Sequence, residues 1–405
     1  MIFWTGIIID IGILAFFKYI NFIFENLNYL LSWLPDSPSI PYLSLILPVG
    51  ISYYTFQALG YLIRINRGAE KAEKHIGIFA TYLLFFPKFL SGPVERSNHF
   101  FPQMHSKIAF DGDTVSKGLR LFLWGLFKKV VIANNLAGPV QMVYGNLHEY
   151  SGLPLIIVLF LQAIYLYADF SGYTDMALGS AKMLGIDIID NFNRPFLSKS
   201  VTEFWRRWHI SLSSWCNDFI FTPFIVKYRK MGNKAAVIGI FLTFFVIGIW
   251  HGAKWTYVML GVFQGLAIVY EFYTKRKRKQ IAAKLPTRLV GLVGIAATFI
   301  FFSFSLVLFN ADSLHESWYF VVNLFSFDID NPFKLNMIVD RTGFLIGLGG
   351  FALLMIKEIM QESGVDVVNL FLKQPRYIRW AGYYTILVLV YNFSQMKETF
   401  VYLQF

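Results

Sequence analysis

Ten stretches of this chain are apolar over nearly the length that crosses a bilayer, about 20 residues each. They lie at roughly 3–24, 40–63, 76–92, 118–137, 153–169, 235–250, 255–273, 288–310, 341–360 and 376–395. Hydrocarbon offers a backbone no hydrogen-bond partners, so such stretches must fold as helices. The chain is 56% hydrophobic and 15% charged, where a soluble protein carries about 25% charged residues. The expectation is an all-α polytopic membrane protein, one integral-membrane domain over residues 1–405 with about eight to eleven spans. The segment at 118–137 holds Lys128 and Lys129 together and is expected to lie tilted or in the interface. The start, MIFWTGIIIDIGILAFFKYINF, lacks a basic leader and reads as a retained span. HSKIAFDGDTVSKG (105–118) and FSFDIDNPFKLN (325–336) read as surface loops.

A formal charge of +11 raises the question of nucleic acid. The basic residues instead sit in short clusters between apolar runs, as in KYRKMGNK (227–234) and KRKRKQIAAK (275–284). Such loops stay on the cytoplasmic side and lie against anionic lipid. No nucleic-acid motif accompanies them. The lone cysteine, Cys216, excludes a disulfide framework and a cysteine zinc site, and it reads as inert packing. Gly261 with Gly265 and Gly343 with Gly347 are small-residue pairs that permit close helix packing.

The block from 185 to 234 is more polar. LGIDIIDNFNRPF is loop-like around Asn193 and Pro195. It leads into SKSVTEFWRRWHISLSSWCNDF, where Ser200 and Glu203 form a capping box. Phe204, Trp208, Leu212 and Trp215 fall on one helical face, which predicts one amphipathic helix half sunk in the interface.

Several chemistries drop out. GLGGFA (347–352) lies inside an apolar span, not at a strand-to-helix turn, and so is no dinucleotide site. There is no G-x-S-x-G elbow, Walker loop or H-E-x-x-H. Asp169 and Asp175 stand six apart without histidine neighbours, so no metal site is expected.

What remains is TFFVIGIWHGAKW. The two basic clusters flank an apolar hairpin whose turn is WHGAKW, so the turn points away from the cytoplasm. From Ala235 to Trp250 is roughly 24 Å of helix, short of a hydrocarbon layer about 30 Å thick. His251 is therefore expected in a cavity within the membrane, with Gly252 leaving room for another group. An ionisable side chain at that depth points to function. A neutral imidazole there suits a general base that deprotonates a hydroxyl for attack on an activated acyl group. The plain alternative is a core histidine satisfied by backbone or water. His209 is the second candidate, expected to reach the same cavity; an interfacial histidine equally needs no special role.

At these residues the chain resembles the membrane-bound O-acyltransferase (MBOAT) family, in the bacterial branch that acetylates alginate and peptidoglycan. The likeness runs through LPVGISYYTFQALGYLI (47–63), FPKFLSGPVERSNHFFPQ (86–103), DFSGYTDMALGSAKMLGI (169–186), NFNRPFLSKSVTEFWRRWHISLSSW, GIWHGAKWTYVMLG and the final TFVYLQF. The resemblance implies many helices around a central tunnel, with His251 catalytic and His209 as second active-site residue. It also implies an acyl donor such as acetyl-CoA or another activated acyl group, with no bound cofactor. The acceptor would be an extracytoplasmic glycan, served by a separate periplasmic partner protein at the cytoplasmic (inner) membrane. Relatives carry further apolar segments before the equivalent of residue 1, so a short version is expected. Trp205, Arg206, Arg207, Asp169, Ser171, Asp175, Asn193 and Trp250 are the candidate substrate-binding residues. Arg206 and Arg207 would attract an anionic donor or simply anchor the cytoplasmic face. Asp169, Ser171, Tyr173 and Asp175 would hydrogen-bond in the tunnel wall or cap a helix. Two other readings fit the same residues: D-alanyl transfer to teichoic acid or acylation of lipid or protein, and a transporter or flippase.

Overall fold

A computed structural model describes residues 2–35, 37–90, 92–326 and 336–394. Those residues are helical throughout, joined by loops and one isolated antiparallel bridge, Phe192 to Trp208. Most of the 325–336 segment and the final TFVYLQF lie outside the described residues.

Among the described residues six helices are long and apolar enough to cross a membrane: Ile2–Leu31, Leu153–Met183, Asn233–His251, Trp255–Ala282, Thr287–Asn310 and Arg341–Glu362. The protein is a multi-pass membrane protein, with fewer such helices than the ten apolar segments suggest. The segment at 40–63 is non-helical as far as Pro48, where Pro41 and Pro48 disfavour helix. Gly50 then turns the chain at φ +74°, and the helix is only Ile51–Asn66. At 76–92 the helix stops at Leu84, before Pro87. The segment around 376–395 forms the helix Arg376–Phe393.

The second half of the segment at 118–137, with Lys128 and Lys129, is buried in protein instead of lying in the interface. Helices Gly112–Leu126 and Asn134–Gly145, joined through a π turn at Phe127–Ala133, pack along the central helix Leu153–Met183. Glycines set the approach: a Cβ on Gly125 would stand 2.5 Å from the Gly172 carbonyl oxygen. Lys128 and Lys129 face the central helix, where Lys128 pairs with Asp175 at 2.6 Å and Lys129 with Asp169. An ammonium cannot be left unpaired at that depth, and these carboxylates meet the need.

Helices Asn233–His251 and Trp255–Ala282 form the expected hairpin. Gly261 lets the pair touch, since a Cβ there would lie 2.4 Å from the Phe244 carbonyl oxygen. Both basic clusters therefore sit at one end of the hairpin, and His251 at the other.

Candidate active site

The stretch from 200 to 216 is two short helices, not one. Ser200 Oγ accepts from the Glu203 amide and starts Val201–Arg207, as its sequence suggests. Glu203 turns its carboxylate to the Lys199 amide. The helix then breaks, with His209 in the left-handed region at φ +45° and ψ +51°. Neighbouring chain imposes the break: the Ile210 amide donates to Asn191 O and the Asn193 amide to Arg207 O. The Asn191 side chain accepts from both the amide and the hydroxyl of Ser211. Such a non-glycine conformation costs about 1–2 kcal/mol. Ile210–Cys216 follows, with Trp208 and Trp215 buried in the core instead of at the lipid surface. Cys216 is fully buried packing.

His251 is the last residue of its helix and only 8% exposed. Its Nδ1 lies 2.7 Å from the Ile247 carbonyl oxygen. A carbonyl only accepts, so Nδ1 donates, and in the neutral ring Nε2 carries the lone pair. Trp250 and Phe309 stand edge-on to the imidazole, at 5.1 and 5.6 Å between ring centres. The room beside Gly252 is filled by Tyr257, whose ring would lie 2.4 Å from a Cβ placed there.

Two cavities meet at this ring, and a third adjoins the inner of them. An outer one of about 110 Å³ is lined by Lys18, Ser52, Tyr53, Trp250 and His251 together with the 47–51 turn and Leu90. A narrow inner one of about 30 Å³ is lined by His251, Trp205, Trp208, Phe244, Gln264 and Phe309 among others. A third, of about 860 Å³, shares Trp205, Phe244 and Ile247 with the inner one. It runs along the hairpin to Arg206, Lys275 and Arg278, at the basic end. His251 is thus common to the outer and inner cavities, and Trp205, held by a 3.1 Å bond from Nε1 to Gln264, borders inner and basic ones.

The other candidates divide. His209 is not in the walls of these cavities; it stands behind Trp250, 5.7 Å between ring centres, and against Phe170 at 4.8 Å. Arg206 lines the basic cavity, while Arg207 turns away to Glu203 and Glu362. Asn193 is exposed and contributes its backbone to the helix break. Asp169 and Asp175 sit mid-helix in lysine pairs, and Ser171 offers its carbonyl to Lys128 at 3.0 Å, so none of the three caps a helix or lines these cavities. Among the described residues no cluster of His, Cys, Asp and Glu could hold a metal. Sequence reasoning passed over Lys18, although an ionisable residue inside an apolar run had singled out His251.

The fold is that of a multi-pass membrane protein with a buried histidine between cavities, and residues 69–311 match a family of membrane-bound acyltransferases. The chain belongs to MBOAT, the membrane-bound O-acyltransferase family. It is 32% identical to a probable alginate O-acetylase of Pseudomonas aeruginosa over 84% of this chain and 63% of the relative. A peptidoglycan O-acetyltransferase of Helicobacter pylori is 31% identical over 77% of this chain and 62% of its own length. A teichoic acid D-alanyltransferase of Bacillus subtilis is 30% identical over 69% and 72%. The chain thus spans about three fifths of the length of the alginate and peptidoglycan relatives.

Proposed function

We propose that this chain is an O-acyltransferase of the cytoplasmic membrane that moves an acetyl or similar group from an activated donor to a hydroxyl of an extracytoplasmic polysaccharide. One observation carries the reading: His251, with Nδ1 committed to Ile247, lines both the outer cavity and the narrow inner one, which shares Trp205, Phe244 and Ile247 with the cavity of the basic end. Donor, such as acetyl-CoA, enters past Arg206, Lys275 and Arg278, whose charge favours an anionic carrier. Acceptor enters from the outer cavity, delivered by a separate periplasmic protein. Nε2 takes the hydroxyl proton as the oxygen bonds to the acyl carbon. The tetrahedral intermediate then expels the leaving group, which takes the proton back from the imidazolium. No covalent enzyme intermediate is required. His209 acts through Trp250, whose ring it backs.

D-alanyl transfer would use the same machinery, and one relative carries that name. Replacing His251 with alanine tests the proposal in cells. Mass spectrometry of ester-linked groups on envelope and secreted glycan should show them lost while membrane protein stays constant. Full modification in that variant refutes the assignment. The mass of the group lost distinguishes acetyl from alanyl.

A further inference from the structure

At Ala15–Tyr19 the N-terminal helix widens into a single π turn. Such turns inside α-helices recur at functional sites. Its two polar members address the last turn of the His251 helix. Tyr19 Oη donates to the Ile249 carbonyl at 2.8 Å. Lys18 Nζ donates to Trp250 O at 2.6 Å, to Ser52 Oγ at 3.3 Å and to His251 O at 3.4 Å. Every α-helix leaves its last four carbonyls without intrahelical partners. Here the Ile249, Trp250 and His251 carbonyls find donors in Tyr19 and Lys18, some 230 positions earlier and outside the 69–311 stretch that matches the family.

We propose that Lys18 is a positioning residue for acyl transfer, its ammonium fixing the last turn of the helix that carries His251. The inference rests on His251 being the base. Lys18 lines the outer cavity, yet its three N–H groups already have protein acceptors, so it holds the wall and does not bind the acceptor. A cation also suits the negative end of the helix dipole. Placing an ammonium inside an apolar span is costly. A lysine serving only to anchor the span would sit near its end and snorkel to water. With Nδ1 tied to Ile247 and the Trp250 and His251 carbonyls tied to Lys18, the imidazole is gripped on both sides of its Cα. Nε2 then keeps one position between the cavities.

The test uses the full chain in a host deleted for its own copy. Lys18→Met, Lys18→Arg and His251→Ala are compared by the rate at which alkali-labile acyl groups appear on envelope and secreted glycan, per molecule of membrane protein. Melting midpoints in detergent are read alongside. Lys18→Met should lower the rate about ten- to hundredfold, the cost of a small misplacement of a reacting group. Lys18→Arg, with the same charge and more donors, should recover most of it. A merely structural lysine would move the melting midpoint and the amount of protein but not the rate per molecule. Wild-type rate in Lys18→Met overturns the inference, and so does a loss explained wholly by unfolding that arginine does not repair. If His251→Ala still transfers, the base assignment falls; if it is inactive while Lys18→Met is fully active, only the clamp falls.

Discussion

Removing Lys129 should strongly destabilise this protein. Lys129→Met leaves Asp169, 1% exposed, without its cation in the interior of the helix bundle. Stranding one partner of a buried pair costs about 3–5 kcal/mol, a large part of a total stability of about 5–15 kcal/mol. Asp169→Asn alone should cost a similar amount by stranding Lys129. The double variant removes both charges, so it should lose far less than the sum, with a coupling energy of about 2 kcal/mol or more. Equilibrium unfolding of all four proteins in mixed detergent micelles measures that cycle. Acyl transfer by the double variant decides between scaffold and chemistry. If Asp169 only neutralises Lys129, the double variant folds and transfers at close to the wild-type rate. Additive losses would refute the pairing argument. A stable double variant with no transfer would mean that Asp169 takes part in the reaction.

The two adjacent arginines should behave differently. Arg206→Gln should raise the KM for a polyanionic donor about fivefold with turnover unchanged, the value of one exposed charge of roughly 1 kcal/mol; Arg207→Gln, whose guanidinium is held by Glu203 and Glu362, should lower the melting midpoint and leave that KM alone. Unequal effects in the opposite sense would contradict the geometry. Glu95 accepts from His99 and so raises its pKa above the ordinary 6.5. That contribution to stability is fully present below about pH 6.5 and is lost as pH rises through the raised value. Melting between pH 5.5 and 8.5, in roughly half-unit steps, should show a decline in wild type that His99→Gln lacks.

Local pattern was enough to read the membrane class, the hairpin with its two basic ends, and His251 at the far turn. Each follows from residues within one or two helices of each other, because apolar length and charge bias act along the chain. The small-residue pair at Gly261 and Gly265 likewise marked a real close contact. Reading failed where a partner distant in sequence decides the outcome. The periodicity of Phe204, Trp208, Leu212 and Trp215 continues through His209, yet Asn191 and its neighbours capture the backbone there and break the helix. Lys128 and Lys129 looked like interface residues until Asp175 and Asp169 faced them across glycine contacts. Nothing near Lys18 announces that it reaches Trp250. Hydrophobic periodicity carries information about a helix and its own faces, whereas burial of a charge depends on which other helix arrives with the opposite one, and only packing supplies that.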